Sequence, residues 1–261
     1  MKYPLLLVAV AAVAAPLHAG IDSSSFPSLA FQQHPGAQLP LDAQLTDARG
    51  RSQTLGAALG DRPSVLVLEY LSCKNLCGLV LAGAVHALGS AGLVPGRDVD
   101  LVAVSIDPRD TTTDAASARA RYAATFADRG ALDGIHFLTG SPAQVGRIAS
   151  AVGFPYRYDR QSAQFAHPAG VVVTTPGGRI SRYMLGVNPA PAEMKQAIGE
   201  AARGATEPAA HPLLLLCFGY DPDAGTAAAL AMRLVRFASL GVVLACALMV
   251  VFLSLRRKRA A

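Results

Sequence analysis

Charged residues are few, 16% of the 261, and no basic stripe runs through the interior of the chain. The formal net charge of +5 belongs to the two ends. Lys2 at one and Arg256, Arg257, Lys258 and Arg259 at the other account for it, and everything between them is neutral. Nor is there an aromatic run interleaved with Lys or Arg. These absences exclude a nucleic-acid surface and any large interaction field. There is no internal repeat. At 52% hydrophobic the chain is also far too apolar for a disordered one, so it reads as one ordinary domain with an appendage.

Both ends carry address information. Residues 1–19 run from one lysine through an apolar stretch to Pro16-Leu17-His18-Ala19, ahead of a polar segment. This is the layout of a secretory signal peptide with cleavage after Ala19. Near the other end, residues 237–255 are uncharged and overwhelmingly apolar. At ~1.5 Å rise per residue a helix there is long enough to cross a bilayer core, and a transmembrane helix is expected. The basic tail 256–261 follows directly, which places the C-terminus in the cytoplasm. The bulk of the chain then faces the outside.

Between these ends, residues 20–40 read as an extended lead-in, 41–202 as a domain, and 203–236 as a linker and juxtamembrane segment. Residues 41–45 and 53–55 flank the turn composition Asp47-Ala48-Arg49-Gly50, which predicts a small hairpin. Residues 64–70 suit a buried central strand, with a helix expected over 76–88. A second buried strand is expected over 99–106, followed by a helix capped near Thr111 that runs to about residue 126. A third strand over 135–138, a helix from Ser141 to Val152, a hairpin of 170–175 with 180–185, and a helix over 191–202 complete the pattern. Parallel βαβ units followed by an antiparallel hairpin and a last helix describe a thioredoxin-like α/β order, a mixed sheet with flanking helices.

Cysteine is sparse: Cys73, Cys77, Cys217 and Cys246. Cys246 falls in the expected span, where packing is its role, and Cys217 reads as a small buried residue or an extra thiol near the membrane. Cys73-Lys74-Asn75-Leu76-Cys77 sits where the first central strand hands over to its helix, the edge at which open α/β sheets place ligands. With Cys77 in the first helical turn, free backbone amides, the helix dipole and Lys74 all favour thiolates. A thioredoxin-type redox pair has two intervening residues. Three open the sulfurs toward an i, i+4 relation that can converge on a third ligand, although a plain disulfide remains an alternative.

The pair Cys73 and Cys77 after a hydrophobic strand is joined by Val104-Ser105-Ile106-Asp107-Pro108-Arg109-Asp110-Thr111, by His136-Phe137-Leu138-Thr139-Gly140, and by His167 ahead of a Val-rich strand. Together, over most of 40–202, these resemble the Sco/SenC proteins, thioredoxin-fold copper-binding assembly factors for cytochrome c oxidase. Cys217-Phe218-Gly219-Tyr220-Asp221-Pro222 ahead of a membrane helix is similar to a bacterial membrane-anchored subgroup. The resemblance implies that Cys73, Cys77 and His167 are metal ligands for a copper ion. Two thiolates and one imidazole suit Cu(I), whereas Zn would want a fourth donor that the sequence does not offer nearby. The chain departs from the family pattern at Lys74-Asn75, at Gly78 and at Pro168, which bears on copper affinity. His86 lies nine residues beyond Cys77, two and a half helical turns away, and His136 reads as structural; Asp107 to Asp110 could help shape the site or dock a partner, but a strand-terminating turn with a cap explains them without function.

By this resemblance the protein is a metallochaperone, not an enzyme in the turnover sense, serving the binuclear copper site of the oxidase. Its partners would be the copper-bearing oxidase subunit and a periplasmic copper donor. The rival reading is a thiol-disulfide reductase that uses Cys73 and Cys77 to keep the oxidase's own copper-ligand cysteines reduced. A peroxidase reading lacks a threonine-to-cysteine motif.

The resulting topology is a single pass through a bacterial inner membrane with the main domain in the periplasm. A reporter active only in the cytoplasm should work when fused after Ala261 and stay silent when fused at Arg203; the reverse pattern overturns the assignment.

Overall fold

The computed structural model describes residues 29–71, 78–126, 129–160 and 163–208. The expected signal peptide, transmembrane helix and basic tail, together with Cys73, Cys77, Cys217 and Cys246, lie outside the described residues. Among the described residues no helix is long and apolar enough to cross a membrane.

Seven strands form one sheet. A hairpin of β1 (Gln44–Asp47) and β2 (Ser52–Thr54) is followed by a short helix α1 (Leu55–Leu59) and the central strand β3 (Ser64–Glu69). Helix α2 (Gly78–Ser90) leads to β4 (Asp100–Ser105), and α3 (Thr112–Ala123) with a 3-10 turn leads to β5 (Ile135–Thr139). Helix α4 (Pro142–Ala151), a small separate hairpin of β6 (Arg157–Asp159) and β7 (Gln164–Ala166), strands β8 (Gly170–Thr174) and β9 (Ile180–Leu185), and α5 (Pro191–Ala202) complete the chain. The sheet order is β2-β1-β5-β4-β3-β8-β9. Strands β3, β4 and β5 are parallel, and β8, β9 and the first hairpin run antiparallel to their neighbours.

The all-buried runs of β3 and β4 follow from helices on both faces. On one face Val65, Val67, Leu101 and Ala103 pack with Val80, Leu81, Ala84 and Leu88 of α2 and with Met194 and Ile198 of α5. On the other, Leu66, Leu68, Val102 and Val104 pack with Leu55 and Leu59 of α1 and with Val145 and Ile148 of α4. Helix ends follow their caps. Thr111 and Asp114 form a reciprocal capping box on α3, and the Ser141 hydroxyl accepts from the Gln144 amide with Pro142 opening α4.

The element pattern follows the sequence reading, with four differences. Helix α2 is described from Gly78, the expected start at residue 76 lying outside the described residues, and Leu79, which counted toward its apolar residues, is exposed at 46%. The short helix α1 and the hairpin β6–β7 were not anticipated, since elements of three to five residues carry no measurable periodicity. The lead-in is extended, yet from residue 29 onward it belongs to the packed domain, with Phe31 and Leu39 buried. Its backbone is fastened by Gln32 N–H to the Gly153 carbonyl (2.8 Å), Leu39 N–H to the Gly178 carbonyl (3.0 Å) and Ile180 N–H to the Ala37 carbonyl (2.9 Å). The stretch after α5 is likewise docked at first: Glu207 N–H donates to the Ser181 carbonyl at 2.8 Å, and Arg182 pairs with both Glu200 and Glu207.

Gly153 holds the junction between α4 and the lead-in at φ +58°, and a Cβ there would collide with the Gln32 carbonyl. Gly153→Ala should cost about 2 kcal/mol or more in urea unfolding. Gly146→Ala, in the middle of α4 with open space around it, should instead stabilise by up to ~1 kcal/mol.

Candidate functional site

Strand β3 ends at Glu69, and Tyr70 and Leu71 carry the chain off the sheet edge toward residues 72–77; it returns at Gly78, where α2 starts. Cys73 and Cys77 themselves lie outside the described residues, but the backbone on either side of them is placed. Strand β8 lies antiparallel beside β3, with Leu66 opposite Val172 and Ser64 opposite Thr174. The chain entering β8 therefore passes the C-terminal end of β3, and the residue there is His167. The structure thus brings His167 to the edge from which the cysteine segment departs.

The imidazole is held on three sides. It stacks on Phe154 (centroids 5.5 Å apart, planes at 29°) and meets the Tyr70 ring edge-on at 6.1 Å. Its Nδ1 lies 2.9 Å from the Pro168 carbonyl. A carbonyl only accepts, so Nδ1 is the protonated nitrogen and Nε2 carries the lone pair. Burial pushes the imidazole below its ordinary value, only partly offset by that carbonyl, so the ring is neutral at pH 7. A neutral imidazole with one nitrogen fixed as donor and the other bearing a lone pair is the form that ligates metals.

The turn from β4 into α3 braces both arms of the site. The Asp110 carboxylate, 8% exposed, accepts from the Leu71 amide and from the Ser105 hydroxyl, each at 2.6 Å. Arg109 grips the buried Asp107 carboxylate at 2.6 Å and lays its guanidinium over the rings of Tyr158 and Phe165, 5.0 and 6.0 Å from their centroids. Those two rings belong to β6 and β7, the hairpin that delivers His167. Burial alone would push the Asp107 carboxyl up, but its bonds to Arg109 outweigh that and hold it below the usual range. On the far side of the cysteine segment, the Tyr122 hydroxyl of α3 donates to the Gly78 carbonyl at 3.3 Å.

Of the residues singled out in the sequence, the described ones fall into two groups. His167 is at the site. His86 is exposed on α2, and His136 is the second residue of β5, toward the end of the parallel strands opposite the cysteine segment. His136 lines a separate polar cavity of about 130 Å³ with Arg49, Arg51, Arg119, Asp47 and Asp133. The turn at 107–110, read as a strand stop with a cap, is followed directly by that cap in Thr111 and Asp114, and Asp110 and Arg109 reach the site besides. Tyr70, Phe154 and Glu69 were not anticipated. Glu69, 3% exposed, shares the wall of a cavity of about 20 Å³ with Leu71, Gly78 and Tyr122. Its sequence signal is an acidic residue closing an otherwise apolar strand. Among the described residues no three His, Cys, Asp or Glu side chains cluster to hold a metal.

A mixed sheet with a βαβ core, helices on both faces and a cysteine segment at the C-terminal end of the first central strand defines a thioredoxin-like protein. Residues 32–203 match the family model described as SCO1/SenC, and the chain belongs to that family. Among solved structures it is similar to a proposed electron transfer protein from Aquifex aeolicus VF5, with 26% identity over 68% of this chain and 99% of that one, at a TM-score of 0.57. It is also similar to a SCO1/SenC family lipoprotein from Bacillus anthracis strain Ames, with 17% identity over 64% and 97% of the two chains and a TM-score of 0.53. A third is BsSco, described as a member of the Sco family of cytochrome c oxidase assembly proteins in which a disulfide switch was identified. There the identity is 17%, the coverage 66% and 97%, and the TM-score 0.51. No curated protein sequence matches the chain.

Two half-buried histidines, His136 and His167, make stability pH-dependent. Burial, then the nearby Arg119 and Arg62, push His136 down to about 4, against 6.5 when unfolded. The unfolded chain therefore takes up the proton first. This contribution to stability is present above pH 6.5, falls away as the pH drops toward 4, and changes no further below that. Urea midpoints for His136→Gln should show a flatter decline over this window than the parent, with His167 leaving a residual slope; parallel profiles would contradict the assignment.

Proposed function

We propose that this protein is a copper metallochaperone anchored in the inner membrane, holding copper through Cys73, Cys77 and His167 and serving the binuclear copper site of cytochrome c oxidase. The observation that carries the reading is the state of His167: neutral, fixed in one tautomer by the Pro168 carbonyl, and beside the strand end from which the cysteine segment leaves. Two thiolates with one imidazole form a soft set suited to Cu(I) and tolerant of Cu(II). Copper is cargo here. Uptake releases the thiol protons, so binding tightens as the pH rises, and delivery requires an acceptor that competes for the same soft metal. Membership of the SCO1/SenC family is the second support. The partners are the copper-bearing oxidase subunit and a periplasmic copper donor, and residues 237–255 anchor the chain with its main domain in the periplasm.

The second reading is a thiol-disulfide reductase that passes electrons from the Cys73 and Cys77 thiols to a disulfide in the oxidase subunit. Each exchange leaves Cys73 and Cys77 joined and the target reduced. His167 separates the two readings, because exchange needs only the sulfurs.

His167→Ala should reduce copper affinity by more than the roughly 10–100-fold typical of losing a ligand's supporting hydrogen bond, while sparing thiol exchange. Cys73→Ser and Cys77→Ser should abolish both. If cells carrying His167→Ala assemble a fully metallated oxidase at limiting copper while Cys73→Ser cells do not, the reductase reading replaces the chaperone.

A further inference from the structure

The ladder between β3 and β4 runs in register to Glu69 opposite Ser105, and one further bond, Ile106 N–H to the Glu69 carbonyl at 2.9 Å, closes it. Beyond that point the Leu71 amide, the last described backbone donor before the cysteine segment, goes to the Asp110 carboxylate, 39 residues further along the chain. We propose that Asp110 is a positioning residue for the cysteine segment: by taking the Leu71 N–H and the Ser105 hydroxyl on a single oxygen, it fixes where the chain leaves the sheet two residues ahead of Cys73. The inference rests on the reading of Cys73 and Cys77 as the functional pair.

Four observations point to this role. Helix α3 does not need Asp110, because Thr111 and Asp114 already satisfy its N-terminus through the 2.8 and 3.3 Å bonds of the capping box. The engaged oxygen, Oδ2, sits 2.6 Å from each donor, at the short end for charge-assisted bonds, so the anchor is stiff. The other oxygen, Oδ1, is buried with no hydrogen-bond partner among the described residues, a cost that a side chain selected for fold stability alone would avoid. The opposite end of the segment is tied by Tyr122 to the Gly78 carbonyl, so side chains of one stretch of chain, the turn and helix after β4, hold both ends.

The test uses the full-length chain with two readouts, Cu(I) affinity by ligand competition and the equilibrium of the Cys73 and Cys77 disulfide with glutathione. Asp110→Ala should lower copper affinity about 10–100-fold and shift the glutathione equilibrium about tenfold. Asp110→Asn should restore both to within about threefold of the parent, because an amide oxygen can accept the same two donors. Ser105→Ala should lower the melting temperature yet leave both readouts near the parent, since the Leu71 bond survives. Asp110→Ala with parental affinity and equilibrium, or with losses no larger than those of Ser105→Ala, overturns the proposal. So does an Asp110→Asn variant that melts like the parent but loses copper, and that variant decides the matter should the alanine variant not fold. If the parent chain itself holds no copper, the chaperone reading fails, and the glutathione equilibrium still decides the role of Asp110.

Discussion

Strand β3 is hydrogen-bonded along both edges, parallel to β4 and antiparallel to β8, and is covered by helices on both faces. A strand so enclosed cannot slide, since a slip of one residue would move Val65 and Val67 to the face that Leu66 and Leu68 occupy. Its C-terminal end is therefore a fixed point. Everything near the candidate site is measured from it: the departure of the cysteine segment through Leu71, the Tyr70 ring that meets His167, and the entry into β8 that brings His167 alongside.

The turn after β4 converts that fixed point into a shaped site with a handful of polar contacts. Hydrogen bonds to a charged group are worth about 1.5–3 kcal/mol each, more than a solvent-exposed ion pair would supply. Asp107 is almost fully buried while Arg109 is 60% exposed, so this pair gains from the desolvated side and keeps its cation free to lie over Tyr158. A single short turn thus touches the strand that leads to the cysteines and the hairpin that leads to the histidine.

Much of this was legible in the sequence because the signals were strong and local. Continuous apolar runs marked β3 and β4, Thr111 with Asp114 marked the start of α3, and Pro176-Gly177-Gly178 marked the β8–β9 turn. The site was legible as residue types: a cysteine pair after a buried strand, and a histidine ahead of a valine-rich one. What the sequence concealed were relations between distant positions. Nothing in a window around Asp110 reveals that its acceptor oxygen serves Leu71, and Phe154 reads as an ordinary helix-end aromatic until it is found stacked under His167. The hairpin β6–β7 was hidden by its brevity, since three-residue strands carry no period to detect.

The bond from His167 Nδ1 to the carbonyl of the very next residue has a consequence of its own. Here donor and acceptor are chain neighbours, so the tautomer travels with the segment that carries it. Were residues 167–169 to swing away from Phe154 and Tyr70, the imidazole would give up its stacking contacts and the burial that favours its neutral form, but the Pro168 carbonyl would still direct the proton of the neutral ring to Nδ1.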